Sequence, residues 1–172
     1  MTAGSAAAPA WPTRRVAVDA ATVAARTLVI GYGSPIRGDD AIGPLAADAL
    51  EAEPLPPGLR VLSRHVLTAE LAEDLATADR VIFLDAAAQG RPGEVRVCTL
   101  EPDAHAVSTM AHFLDPRELL AWCDMLYQRV PQAWLVSAAG ESFDYASYRL
   151  GPAAAAALPV MLAEVHRLAA AP

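Results

Sequence analysis

At 172 residues, 54% hydrophobic and 6% aromatic, the chain is long enough to bury the core of one domain. A net charge of −7 and a pI near 5.0 argue against nucleic acid or an anionic membrane as a partner. No apolar run reaches the ~18 residues of a membrane span; Cys98 and Cys123 lie far apart without metal-type spacing, which points to a reducing, cytoplasmic setting.

Residues 1–26 are alanine-rich, carry Pro9 and Pro12, and lack clear periodicity, so they are expected to form a loosely ordered extension to a single domain over 27–172. Arg14-Arg15 invites a twin-arginine export reading, but Asp19 and Arg26 interrupt the apolar region such a signal needs. Thr27 to Ile30 is a short apolar, β-branched run, the pattern of a strand buried on both faces. It stops at Gly31-Tyr-Gly-Ser-Pro35, and a helix is expected from about Asp39 to Ala52, with Asp39 and Asp40 in its first turn. The pair would therefore lie beyond the carboxyl end of a parallel strand, where open α/β sheets place ligands. The acids could simply cap the helix. They could also hold a cation. A nucleotide site fits less well: Gly31, Gly33 and Gly38 do not make G-x-G-x-x-G, no P-loop lysine follows, and carboxylates repel phosphate.

Pro54, Pro56 and Pro57 end the first helix, and a second strand is expected over Leu59–His65. His65 would sit near the same sheet edge. Thr68 reads as the N-cap of a second helix whose apolar face is Leu71, Ala72 and Leu75. Val81 to Leu84 is a fully apolar run ending in Asp85, a central strand whose terminal carboxylate either caps a neighbouring turn or needs a partner or a cation. About nine residues then lead to an alternating run over Glu94–Leu100, fewer than a parallel crossover usually needs, so this edge strand is expected antiparallel. Asp115-Pro116 reads as N-cap and first helical residue of a helix through about Gln128, with Leu119, Leu120, Cys123 and Leu126 inward. His112 precedes that cap and is either a surface histidine or a ligand. Ala133 to Ala138 makes the last central strand, Gly140 to Asp144 another loop at the same edge, and a helix over about 150–170 closes the chain, bent by Pro159. The sum is an α/β fold: three layers, a mostly parallel, twisted five-stranded sheet with helices on both faces and one antiparallel edge strand.

Gly-Tyr-Gly-Ser-Pro-Ile-Arg-Gly-Asp-Asp-Ala-Ile-Gly, over 31–43, resembles the opening signature of the hydrogenase maturation proteases, endopeptidases that trim the C-terminal extension of nickel–iron hydrogenase large subunits. Ser34 replaces the usual asparagine and Ala41 a frequent glycine; Arg64-His65 stands where the family often has glycines. The resemblance continues in the strand ending at Asp85 and in His112-Phe-Leu114, where Asp115-Pro116 replaces a common glycine. It implies that Asp40, Asp85 and His112 are the metal ligands. The resemblance further implies that the metal is nickel supplied by the substrate, with zinc or another divalent ion as a substitute, and that the partner is the precursor of a nickel–iron hydrogenase large subunit. Asp39 is a candidate catalytic group by proximity, and Glu141, in a Glu-Ser pair resembling one in the family, is a candidate substrate contact or a solvated acid. Two carboxylates and an imidazole suit a borderline divalent ion better than calcium. H-E-x-x-H and G-x-S-x-G are both absent from the sequence, so neither of those protease mechanisms is supported. A nickel-binding checkpoint or chaperone without peptidase activity would use the same ligands. Oligomeric state is not legible in the sequence.

Overall fold

The computed structural model describes residues 26–103, 114–147 and 149–170. The expected extension over 1–26 therefore lies, apart from Arg26, outside the described residues.

Five strands form one sheet: β1 (Thr27–Tyr32), β2 (Leu59–Arg64), β3 (Arg80–Ala87), β4 (Val95–Leu100) and β5 (Gln132–Ala139). Their spatial order is β2-β1-β3-β5-β4, with every pair parallel except β5 with β4. The antiparallel edge strand expected from the short connection is thus β4, which returns beside β5. Among the described residues four α-helices cover the sheet: α1 (Ile42–Glu51), α2 (Leu71–Thr77), α3 (Pro116–Tyr127) and α4 (Pro152–Ala169).

Strand side chains alternate between two cores, as a period of two requires. Leu28, Ile30, Val81 and Phe83 point to the layer of α2 and α3. Val29, Ile82, Leu84 and Val136 point to the layer of α1 and α4. Full burial on both faces explains the unbroken apolar runs of β1 and β3.

The helices depart from expectation in places. Gly38–Ala41 is a 3-10 turn, and α1 begins only at Ile42. Thr68 does not cap α2; backbone turns from 68 to 73 lead into it, and the Thr68 hydroxyl faces the Glu70 carboxylate at 3.4 Å. The start of α3 is as expected. Asp115 Oδ1 accepts from the N–H groups of Arg117 and Glu118, and Glu118 accepts from the Asp115 N–H, a reciprocal capping box. Leu126 is not inward, being 54% exposed, because core packing on this helix ends at Cys123. Both cysteines are free thiols, Cys98 exposed and Cys123 buried. No helix among the described residues is long and apolar enough to cross a membrane.

The start of α1 is pressed onto the strand ends. A Cβ at Gly43 would run into the carbonyl oxygens of Tyr32 and Leu84, and one at Gly31 into the carbonyl of Gly43. Those atoms are backbone and cannot swing aside. Gly43→Ala is expected to cost at least about 2 kcal/mol, measurable as a lowered thermal midpoint; a midpoint within 1 °C of wild type would show that the helix start can move off the sheet.

Candidate active site

Sheet order fixes where a ligand can enter. From β1 the chain crosses over α1 to β2 on one side, then over α2 to β3 on the other side of β1. Beyond the carboxyl ends of β1 and β3 the two crossovers diverge, leaving the crevice typical of a topological switch point. A cleft of about 500 Å³ opens there, and Tyr32, Arg37, Asp40, His65, Asp85 and Phe143 are among its lining residues.

Asp40 reaches the cleft from the loop after β1. That loop folds back on itself: the Ser34 N–H donates to Asp40 Oδ2 at 3.0 Å, and the Asp40 N–H donates to the Arg37 carbonyl at 3.1 Å. Gly33, at φ +139°, makes the turn out of the strand in a conformation that side chains resist. Asp85 comes from β3, which does not stop at this residue but continues to Ala87 because β5 pairs with it throughout, Asp85 opposite Ser137. Its carboxylate accepts from the Ala86 N–H at 2.7 Å, and the neighbouring Tyr32 hydroxyl favours its charged form. Burial raises the Asp85 pKa to about 6, the Tyr32 hydroxyl and the Ala86 N–H oppose this, and the nearby Asp40 charge adds to it. Tyr32 is raised as well, by burial first and then by the Asp85 charge, so its hydroxyl stays protonated.

Asp39, next to Asp40 in sequence, faces elsewhere. It is fully buried, at 0% exposure. Its Oδ2 accepts from the N–H groups of Glu141 at 2.7 Å and Ser142 at 3.1 Å, and its Oδ1 from that of Gly151 at 2.6 Å. Two backbone bonds run beside these: Asp39 N–H to the Ser142 carbonyl and Gly38 N–H to the Ser147 carbonyl, both at 2.9 Å. Burial works to raise the Asp39 pKa, and the three backbone donors together outweigh it, so the group sits below the usual carboxylate value. This residue is a brace between the loop after β1 and the loop after β5.

No family model and no curated protein matches the sequence. Solved structures do match. The hydrogenase maturating endopeptidase HybD from E. coli is 25% identical, with 83% of this chain and 91% of that chain covered at a TM-score of 0.68. The hydrogenase 2 maturation peptidase from a Thaumarchaeota archaeon is 26% identical over 84% and 98% of the two chains, TM-score 0.63. An endopeptidase from Escherichia coli is 26% identical over 81% and 89%, TM-score 0.64. The chain shares the fold of these hydrogenase maturation peptidases along most of its length.

For this maturation-protease fold, the residues expected from the sequence are placed unequally. Asp40 and Asp85 share the cleft. His112 lies outside the described residues. Among the described residues no three His, Cys, Asp or Glu side chains gather as a metal-holding group. His65, exposed just past the end of β2, lines the same cleft. Glu141 is exposed, and its backbone N–H rather than its carboxylate makes the tie to Asp39. Tyr32 was not singled out from the sequence. Its place between two glycines at the end of an apolar strand was the available signal.

Proposed function

We propose that the protein is the endopeptidase that removes the C-terminal extension of an immature nickel–iron hydrogenase large subunit after nickel insertion. The observation that carries this reading is the pair Asp40 and Asp85 in one cleft at the switch point, on a fold shared with hydrogenase maturation endopeptidases. The donor chemistry fits a cation. Asp85 is held where its charge is disfavoured by burial and by its acidic neighbour, and a positive ligand relieves both.

In this reading the nickel arrives as part of the substrate. Asp40, Asp85 and His112 contribute ligands to it, and oxygen and imidazole donors suit that ion. Once docked, the ion supplies Lewis acidity for the scissile carbonyl or an attacking water. The chain's own residues set the stage. Tyr32 orients the Asp85 carboxylate, Ser34 holds Asp40, and Asp39 fixes both loops through backbone bonds. With its oxygens already accepting three such bonds, Asp39 serves positioning rather than proton transfer.

The test is to mix purified protein with nickel-loaded precursor and follow the mass of the large subunit. Wild type is expected to remove the extension, and Asp85→Ala to slow removal at least about 100-fold. Normal trimming by Asp85→Ala would overturn the role of this carboxylate. Nickel-dependent binding by wild type with no mass loss would favour the checkpoint reading, which uses the same ligands.

A further inference from the structure

The floor of the cleft is acidic, but its rim is not. Arg37 lines the same cleft and is exposed. Its guanidinium makes no hydrogen bond or ion pair with any described residue. Six other arginines, Arg26, Arg60, Arg96, Arg117, Arg129 and Arg167, each hold a carboxylate. Arg64, Arg91 and Arg149 form no such ion pair among the described residues, but of these and Arg37 only Arg37 lines the cleft that holds Asp40 and Asp85. The rest of the sequence offers Arg37 few partners. The segment 104–113 contains no acid, and Asp19 is the one acidic side chain outside the described residues. His65, also exposed, adds a second basic group to the rim from a separate loop, with Arg64 beside it.

The backbone beneath Arg37 is held on both sides. Its N–H donates to the Ser34 carbonyl at 3.1 Å, its carbonyl accepts from Asp40, and it forms a parallel bridge with Ser147. Five N–H donors on a planar fork thus project from a fixed base over a cleft. In a chain of net charge −7, a guanidinium left without an acid at the mouth of a metal-seeking cleft asks for a second, anionic feature on the ligand. Carboxylate is the group whose two oxygens match that fork.

We propose that Arg37 is the docking residue for a carboxylate on the substrate peptide, carried close to the segment that presents the metal. The inference rests on the reading of the cleft as the peptide-processing site, and it names a specificity determinant there. The carboxylate belongs either to an Asp or Glu side chain near the cut or to the free end of the extension.

The experiment uses the full chain and nickel-loaded precursor, with binding measured by titration separately from trimming. Arg37→Gln should raise both Kd and KM about tenfold or more, with kcat within about threefold and an unchanged melting temperature; Arg37→Lys should recover part of the loss. Precursors in which each acid near the cut is changed to its amide, and one with two neutral residues added at its end, identify the source. The matching change weakens wild type but adds nothing further to Arg37→Gln. Wild-type constants for Arg37→Gln would overturn the proposal. So would a loss confined to kcat, or strict additivity with every carboxylate removed. A wild-type protein that binds the precursor without trimming it would refute the peptidase reading alone, because the Arg37 contact is still read from the binding constants.

Discussion

Asp39→Ala is expected to destabilise the protein by about 3–5 kcal/mol at pH 7, read as a lower denaturant midpoint at unchanged slope. The carboxylate is wholly buried and accepts from three backbone N–H groups at 2.6 to 3.1 Å. Alanine leaves three donors facing a small void, and each unpaired buried donor costs about 1–3 kcal/mol. Asp39→Asn should fall between the two, because its amide keeps one oxygen acceptor but turns an NH2 group toward other N–H groups. The effect has a pH signature. The folded pKa lies below the unfolded one, so the contribution is present above the unfolded value and fades as pH falls through the folded value. The gap between wild type and Asp39→Ala should therefore narrow in acid. Trimming should suffer too, since Asp40 is the next residue and a small displacement of a reacting geometry lowers rate steeply. A midpoint within about 0.5 kcal/mol of wild type would show that the two loops hold together without the brace.

That brace marks the limit of what the sequence reveals. The neighbouring acids Asp39 and Asp40 are chemically identical, and both fit a helix start. Their roles separate through partners 102 to 112 residues away that are backbone N–H groups, and backbone donors leave no mark in a sequence. Features written in local pattern are legible. The β-branched run of β1, the apolar run before Asp85 and the Asp115-Pro116 start of α3 with Glu118 completing its box all stand where their residue types place them. Features that depend on neighbours in space are less so. Thr68 has the right side chain for a cap, yet the chain winds into α2 through tight backbone turns that make it unnecessary. Leu126 continues the helical spacing of Cys123, yet it is largely exposed. Tyr32 influences Asp85 across adjacent strands, and a tyrosine between two glycines gives no hint of which strand will lie beside it.

Asp85→Asn is expected to fail in processing while melting higher than wild type at pH 7. Burial, with repulsion from Asp40, moves this carboxyl from 3.8 to about 6 against the pull of the Tyr32 hydroxyl and the Ala86 N–H. A group with a raised folded pKa contributes stability that is complete below the unfolded value and lost as pH rises through the folded one. Its ionised form is therefore the unfavourable one in the free protein, by about 3 kcal/mol at most. Asparagine keeps an oxygen for the Ala86 N–H, bonded at 2.7 Å in the wild type, and its amide can donate to the Tyr32 oxygen, so both neighbours keep a polar partner without the charge. A gain of about 1–3 kcal/mol, or about 2–4 °C per kcal/mol in a chain of this size, should appear at pH 7–8 and vanish below about pH 4. A difference that stays flat across that range would refute the strained charge. Nickel-loaded precursor should reverse the order, raising the melting temperature of wild type through linkage while leaving Asp85→Asn nearly unmoved. On the proposed reading, the carboxylate whose charge weakens the fold is the one a cationic substrate would reward, so the same side chain would make the cleft both less stable and selective for its ligand.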